Sequence, residues 1–466
     1  MNKQFLVSSV YQMLISYLIF SANASICFTQ QTHNKAGNAN IPTDDETSVV
    51  RLIHETAHPL KDNESDYDPL MELIGNARFV MLGEATHGTH EFYRERARIT
   101  RRLIEEKGFD AVVLEADWMD VNRVNRYIQS EGNDTSAEKA LSDFNRFPRW
   151  MWRNADFRDF VDSLKTINAR SDDKNRFSIY GMDLYGLSDS VAAIANYFKH
   201  ADPEGTRRVR KRYGCFSRFR DEPQFYGLEV FNKTSRSCQK DAQQQFDELQ
   251  QLMGKSGSHK TDELFNALQN ARVVKNAEAY YRATYQRNIS SWNLRDTHMA
   301  ETLEAIANHH ETKSGKPAKI VVWAHNSHQG DARMTERARA GEHNVGQLVR
   351  QRYGKDSVLV GFTTYTGYVR AATKWGGYDE RKRVRPALEG SYSALFHKTG
   401  VPNFLLILRE RGKLSEVLGN DRLERAIGVI YLPRTERASH YFYAQLSKQF
   451  DAVIHFDVTT AVARLN

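Results

Sequence analysis

The stretch FVMLGEATHGTHEF, residues 79 to 92, places four apolar residues, Phe79 to Leu82, directly before Gly83, Glu84, Ala85, Thr86, His87 and Gly88. Four consecutive apolar residues closed by a glycine read as a short strand buried on both faces, as in a parallel sheet. Downstream, Phe92, Ile99 and Leu103 fall on one face at helical spacing. Strand, turn and helix in that order form one unit of an α/β fold.

The unit recurs. Apolar runs at 111–114, 177–180, 320–323, 358–362, 404–408, 427–431 and 453–456 are bounded by turn residues, and several are separated by helix-length amphipathic segments. This alternation predicts an α/β fold, a largely parallel sheet flanked by helices on both faces. Between 202 and 312 the strand-like runs stop and the text becomes polar and helical, as at 241–253 and 262–285. The expected organisation is an α/β catalytic domain built from 46–201 and 313–466, interrupted by a helical insertion, 202–312, that caps the site. The chain contains no internal repeat.

Composition bounds the class. With 466 residues, 40% hydrophobic and 26% charged, the chain can bury a large core. The net charge of +7 comes from 65 basic and 58 acidic residues that are interleaved, without a zinc-finger spacing or an RNA-binding aromatic motif, so nucleic acid is not an expected partner. The basic runs 207–212 and 381–385 read as solvated faces.

Residues 1–24 read as a secretory signal peptide: Lys3, an apolar stretch from Phe5 to Phe20, then Ala22, Asn23 and Ala24 at the cleavage positions. The apolar stretch contains Ser8, Ser9, Gln12 and Ser16 and is shorter than the ~20 residues a bilayer span needs. Export without a stable membrane anchor, to the periplasm or outside the cell, is expected, with 25–45 as a flexible lead-in. Cys27 lacks the residues that precede a lipid-modified cysteine. Cys215 and Cys238 are either a bridge formed in an oxidising compartment or two buried thiols.

In open parallel sheets, ligands bind beyond the carboxyl ends of the strands. Four candidate strands end there in reactive side chains: Glu84 and His87; Glu115 and Asp117; Asp183; His325 and His328. A histidine beside a carboxylate is a general base whose tautomer is fixed. A simple capped helix start, with Thr86 or Thr89 as N-cap and Glu91 in the first turn, accounts for the threonines but not for His87. Arg96 shares the inward stripe of Phe92 and Ile99, so it either snorkels to the edge or pairs with a buried anion, Glu84 or Glu115, the two strand-end carboxylates favouring the pair. If consecutive strands are neighbours, Glu115 lies beside His87, as a second acid/base group, as the partner of Arg96, or as a loop salt bridge. Asp117 and Trp118 would form a rim that grips substrate.

The segment WAHNSH, 323–328, sets two imidazoles three positions apart. With His87 and Glu115 they could ligate zinc, although the spacing is not that of a helical HExxH; a metal-free pair that polarises a carbonyl is preferred. A GxSxG elbow, a P-loop and a GxGxxG cradle are all absent, which leaves water activated by His87 as the nucleophile.

These residues resemble the erythromycin esterase family. The segment GEATHGTHEFYRERARITRRLIEEKGFDAVVLEADW at 83–118 is similar to its N-terminal signature, and GMDLYG at 181–186, NLRDTHMAE at 293–301 and WAHNSHQG at 323–330 follow in the family's order. The resemblance, spanning roughly 50–460, implies hydrolysis of a macrocyclic lactone ester, such as that of erythromycin, without a serine nucleophile, and so antibiotic resistance. It implies His87 as the base, Glu84 as its orienting partner, Arg96 and Glu115 as further site groups, and His325 as a second catalytic histidine. Arg96 or His325 would face the oxyanion. Substrate-binding candidates are His328, Asp117, Trp118 and Asp183, while Arg295 and Asp296 match motif positions without an assigned role. The expected ligand is a small-molecule ester or lactone, with no cofactor. Two other readings are a metal-dependent hydrolase of an envelope or environmental ester and a non-catalytic envelope binding or biosynthesis-accessory protein.

Overall fold

The computed structural model describes residues 45–172, 176–220, 222–255, 261–286 and 291–465. The signal peptide, Cys27 and all of the lead-in except Asp45 lie outside the described residues. The strands are β1 (His58–Pro59), β2 (Phe79–Leu82), β3 (Ala111–Asp117), β4 (Ser178–Asp183), β5 (Ile320–Trp323), β6 (Ser357–Ala372), β7 (Asp379–Val384), β8 (Asn403–Ile407), β9 (Arg422–Arg425), β10 (Tyr441–Ala444) and β11 (Ala452–Thr459). Nine of them form one sheet in the order β1-β8-β11-β6-β2-β5-β3-β4, with β7 paired to β6 beyond the main path. From β11 through β4 the neighbours run parallel, whereas β8, β1 and β7 are antiparallel additions.

Alternate residues of the central strands serve two cores. Val80, Leu82, Val112, Leu114, Val321 and Trp323 join the cluster on one face, together with Phe92, Ile99 and Leu103 of the helix His90–Lys107. Phe79, Met81, Val113, Ile320 and Val322 join the other, with Met299, Leu303 and Ile306 of the helix Ser291–Ser314. Two covered faces explain the unbroken apolar runs in the sequence.

Two sequence expectations are corrected. The run at 427–431 is not a sheet strand. It makes single bridges, Thr86 with Ile427 and Ala372 with Ile430, because it passes over the carboxyl edge of the sheet. And β3 is not adjacent to β2: β5, more than 200 residues later in the chain, lies between them and pairs with both.

The segment between β4 and β5 is helical throughout its described residues and has a core of its own. Leu184, Ile194, Phe198, Tyr213, Tyr226, Leu249 and Val274 pack together there. The helix Leu187–Ala201 already contributes to this cluster, while Ser291–Ser314 turns back onto the sheet. Cys215 and Cys238 form a disulfide inside the helical segment, with Cα atoms 6.0 Å apart. No helix among the described residues is long and apolar enough to cross a membrane.

Closing a loop of 23 residues restricts the unfolded chain. Cys215→Ser should lower the stability of the helical segment by about 3 kcal/mol, read as a lower urea midpoint, and wild type plus reductant should give the same shift.

Candidate active site

The turn after β2 is held by its neighbours. A Cβ on Gly83 would lie 2.2 Å from the side-chain oxygen of Asn326, and one on Gly88 would lie 2.0 Å from the carbonyl oxygen of Arg370, so both positions require glycine. Backbone bonds fix the turn from three sides: Asn326 N–H to Glu84 C=O at 2.8 Å, Ile427 N–H to Ala85 C=O at 2.8 Å, and Arg370 N–H to Gly88 C=O at 3.1 Å. Thr89 occupies the N-cap of the next helix, but its side chain does not cap it; the Thr86 and Thr89 hydroxyls bond to each other instead. Glu91 accepts from the backbone and hydroxyl of Thr460, both at 2.8 Å.

The inward arginine finds its anion. Arg96 Nη2 donates to Glu84 Oε2 at 2.8 Å, and the other carboxylate oxygen, Oε1, lies 2.8 Å from His87 Nδ1. Arg96 and Glu84 are 0% exposed and His87 is 6% exposed, so the imidazole is the end of the relay that can meet solvent or substrate. An ionised carboxylate only accepts, which places a proton on Nδ1 and leaves the Nε2 lone pair free to take another. The rings of Tyr93 and Trp323 flank the guanidinium at 4.6 and 4.8 Å, and its Nε donates to the Phe92 carbonyl at 3.3 Å. Arg96 therefore lies beneath the carboxylate, on the side away from the opening.

His325 follows β5, and its ring centroid is 4.9 Å from that of His87. Ser327 N–H donates to His325 Nδ1 at 3.2 Å, and the Ser327 hydroxyl is 2.8 Å away. An acceptor at Nδ1 carries its proton on Nε2, which has no hydrogen-bond partner among the described residues. Burial and the neighbouring His87 hold the pKa of His325 well below the usual histidine value, against the opposing pull of Glu115 and the Ala85 carbonyl. His325 is thus a neutral donor beside a base.

A second group of charges backs this pair. Glu115 Oε2 accepts the His325 N–H at 2.9 Å, while Oε1 accepts from Arg295 Nη2 at 2.8 Å and lies 3.3 Å from His328 Nε2. Arg295 also clamps Asp183, Nε to Oδ1 at 2.9 Å and Nη2 to Oδ2 at 2.5 Å. His328 Nδ1 is 2.8 Å from Asp296 Oδ1, and Trp292 stacks on its ring at 4.4 Å. Burial lowers the pKa of His328, but Asp296 and Glu115 outweigh it and push the value up to about 9. Its Nε2 lies 3.3 Å from Glu115 Oε1 and within hydrogen-bond distance of Arg295 Nη1, at 3.0 Å. Burial would raise Glu115, yet the charges of His328, His87 and Arg295 prevail and hold it well below the usual carboxylate range. Glu115 is an anion that positions His325, not a proton donor.

The structure thus joins Glu84, His87, Arg96, Glu115, His325, His328 and Asp183, sets Asp117 beside Asp183 across the β3–β4 pair and turns Trp118 away. Trp118 is 3% exposed, stacks on Tyr180 at 5.7 Å and donates to the Asn266 side chain at 2.6 Å, within the core rather than at a rim. Asp117 forms an ion pair with Arg146 beside the assembly. Arg295 and Asp296 gain roles, as the clamp on Glu115 and Asp183 and as the partner of His328. Asn326, Ser327 and Trp292 were missed; the first two sit between the paired histidines of WAHNSH, which was the available signal. Among the described residues no group of three or more histidine, cysteine or acidic side chains is arranged to hold a metal ion.

The fold and this polar centre, compared with known proteins, define a hydrolase of the α/β class. The chain belongs to the erythromycin esterase family, whose sequence model matches residues 104–459; Glu84, His87 and Arg96 lie upstream of that span. It is 24% identical to a putative hydrolase, YbfO, of Bacillus subtilis over 88% of this chain and 90% of that protein. It is 22% identical to an erythromycin esterase type II of Escherichia coli over 86% and 94% of the two chains. A crystal structure of a Bacillus cereus protein, 21% identical, superposes with a TM-score of 0.73 over 91% of this chain and all of that one, and shares the fold.

Breaking the buried pair from one side strands a charge. Arg96→Ala should cost about 3–5 kcal/mol and lower the thermal midpoint by several degrees in calorimetry. A second expectation concerns pH. Folding raises the pKa of His328 from 6.5 to about 9, so its contribution to stability is complete below pH 6.5 and is lost as pH rises through about 9. Denaturation midpoints should fall across that window, and Asp296→Asn should flatten the fall.

Proposed function

We propose that this protein hydrolyses carboxylic esters by water activated at His87, and that the ester is the lactone of a macrolide such as erythromycin, which it would inactivate. The observation that carries the reading is the buried relay from Arg96 through Glu84 to His87, whose ring lies 4.9 Å from that of the second histidine, His325.

His87 Nε2 takes a proton from water as the oxygen attacks the ester carbonyl. The imidazolium that forms is stabilised by Glu84, which Arg96 orients. His325 Nε2–H faces the developing oxyanion, and the low pKa of this ring keeps it a neutral donor that does not compete for the proton. Collapse of the tetrahedral intermediate breaks the carbon–alkoxide bond, and the proton on His87 passes to the departing oxygen. Glu115, Arg295, Asp183, His328 and Asp296 hold the strand ends in register. Export is part of the same proposal, supported by the Cys215–Cys238 disulfide, which suits an oxidising compartment.

His87→Ala should lower kcat by at least about 100-fold while the circular dichroism spectrum stays unchanged. A panel of macrolides incubated with wild type should gain the mass of one water on ring opening. A folded variant that retains wild-type rates would remove His87 as the base.

A further inference from the structure

Two segments tied to the strand ends of the polar centre meet through aromatic rings, one half-buried and one exposed. β6 pairs with β2 only as far as Val360 and then continues to Ala372 as one arm of a ribbon with β7. The ribbon passes beside the residue after the catalytic histidine, where Arg370 N–H donates to the Gly88 carbonyl. On the other side, the chain leading into the helix Ala155–Asn168 is tied to both strand ends of the site. The Tyr93 hydroxyl lies 3.0 Å from the His87 carbonyl and 2.6 Å from that of Met151, and Trp152 Nε1 donates to the Glu115 carbonyl at 3.2 Å. Arg146 in that chain pairs with Asp117 and donates to the Tyr185 carbonyl at 3.0 Å, where the helical segment begins.

From these supports Phe147 and Trp375 meet, with ring centroids 5.0 Å apart and planes at 60°. Trp375 is 51% exposed, and Tyr378 in the same β6–β7 turn is 91% exposed. Neither fills a core. The reactive groups of the site below are charged or imidazole, so they offer little to the hydrocarbon body of a large ester. Such ligands are held by apolar and aromatic walls around a few polar groups, and the exposed ring of Trp375 packed on the half-buried ring of Phe147 supplies such a wall.

We propose that Phe147 and Trp375 form an apolar lip of the substrate cleft that selects esters with a large apolar body. The inference rests on the ester-hydrolase reading and names the feature that would set its substrate class. Trp375→Ala and Phe147→Ala should each lower the ratio of kcat/KM for erythromycin to that for p-nitrophenyl acetate by about tenfold, the scale of one lost aromatic contact. The loss should fall in KM, and Trp375→Phe should restore most of it. A binding measurement separates this idea from the hydrolase reading. Erythromycin added to the His87→Ala variant should change tryptophan fluorescence, and the change should shrink when Trp375→Phe is added. Failure of wild type to cleave any ester would sink the hydrolase reading while this titration still tests the lip. An unchanged substrate ratio, or no fluorescence change traceable to Trp375, overturns the lip.

Discussion

Placing Arg96 and Glu84 together in the interior is costly in isolation, since each charge loses its water. The cost is tolerable because neither group is left uncompensated. Glu84 receives the arginine on one oxygen and the His87 imidazole on the other, while Arg96 is sandwiched between Tyr93 and Trp323. That sandwich joins three elements: the helix after β2, the turn at its amino end, and β5 through Trp323. The orientation of His87 is therefore a property of the core, and a change in core packing at Trp323 would reach the site through Arg96.

The two charge groups work differently. The relay from Arg96 through Glu84 ends at His87, the one of the three residues that reaches the surface. The set around Arg295 gathers the carboxylates of Glu115, Asp183 and Asp296 about a guanidinium and the His328 imidazole. Its work is mechanical: Glu115 accepts the His325 backbone N–H and so fixes the loop that presents the second histidine.

Much of this was legible in the sequence, for physical reasons. Strands covered on both faces announce themselves as apolar runs, and a charge on an apolar helical stripe demands a partner, so Arg96 could be assigned an anion before any coordinates. Strand order was not legible, because an apolar run carries no record of its neighbours, and the adjacency of β2 and β3 was taken from their sequence order although β5 lies between them. The passage at 427–431 misled for a related reason: its apolar residues Ile427 and Tyr431 are buried against the extended end of β6 rather than within the sheet. Trp118 followed a strand end and so resembled a rim residue, but the helix it begins turns the indole into the core. Arg295 and Asp296 lie in a helical stretch with no strand end to flag them, so their positions carried no chemistry until the fold brought them to Glu115 and His328.

The position of β5 also governs how the chain can be made. Until a ribosome has passed residue 323, β2 and β3 have no strand to join them, and the centre of the sheet is a gap with exposed edges on either side. The helical segment, with its own core, can condense during that interval, but the carboxylate–histidine centre cannot. Pairing across so long a sequence separation is slow, and unpaired edges invite association between chains. Nascent chains of this protein are therefore most exposed to aggregation before β5 emerges, and the site is among the last parts of the molecule to exist.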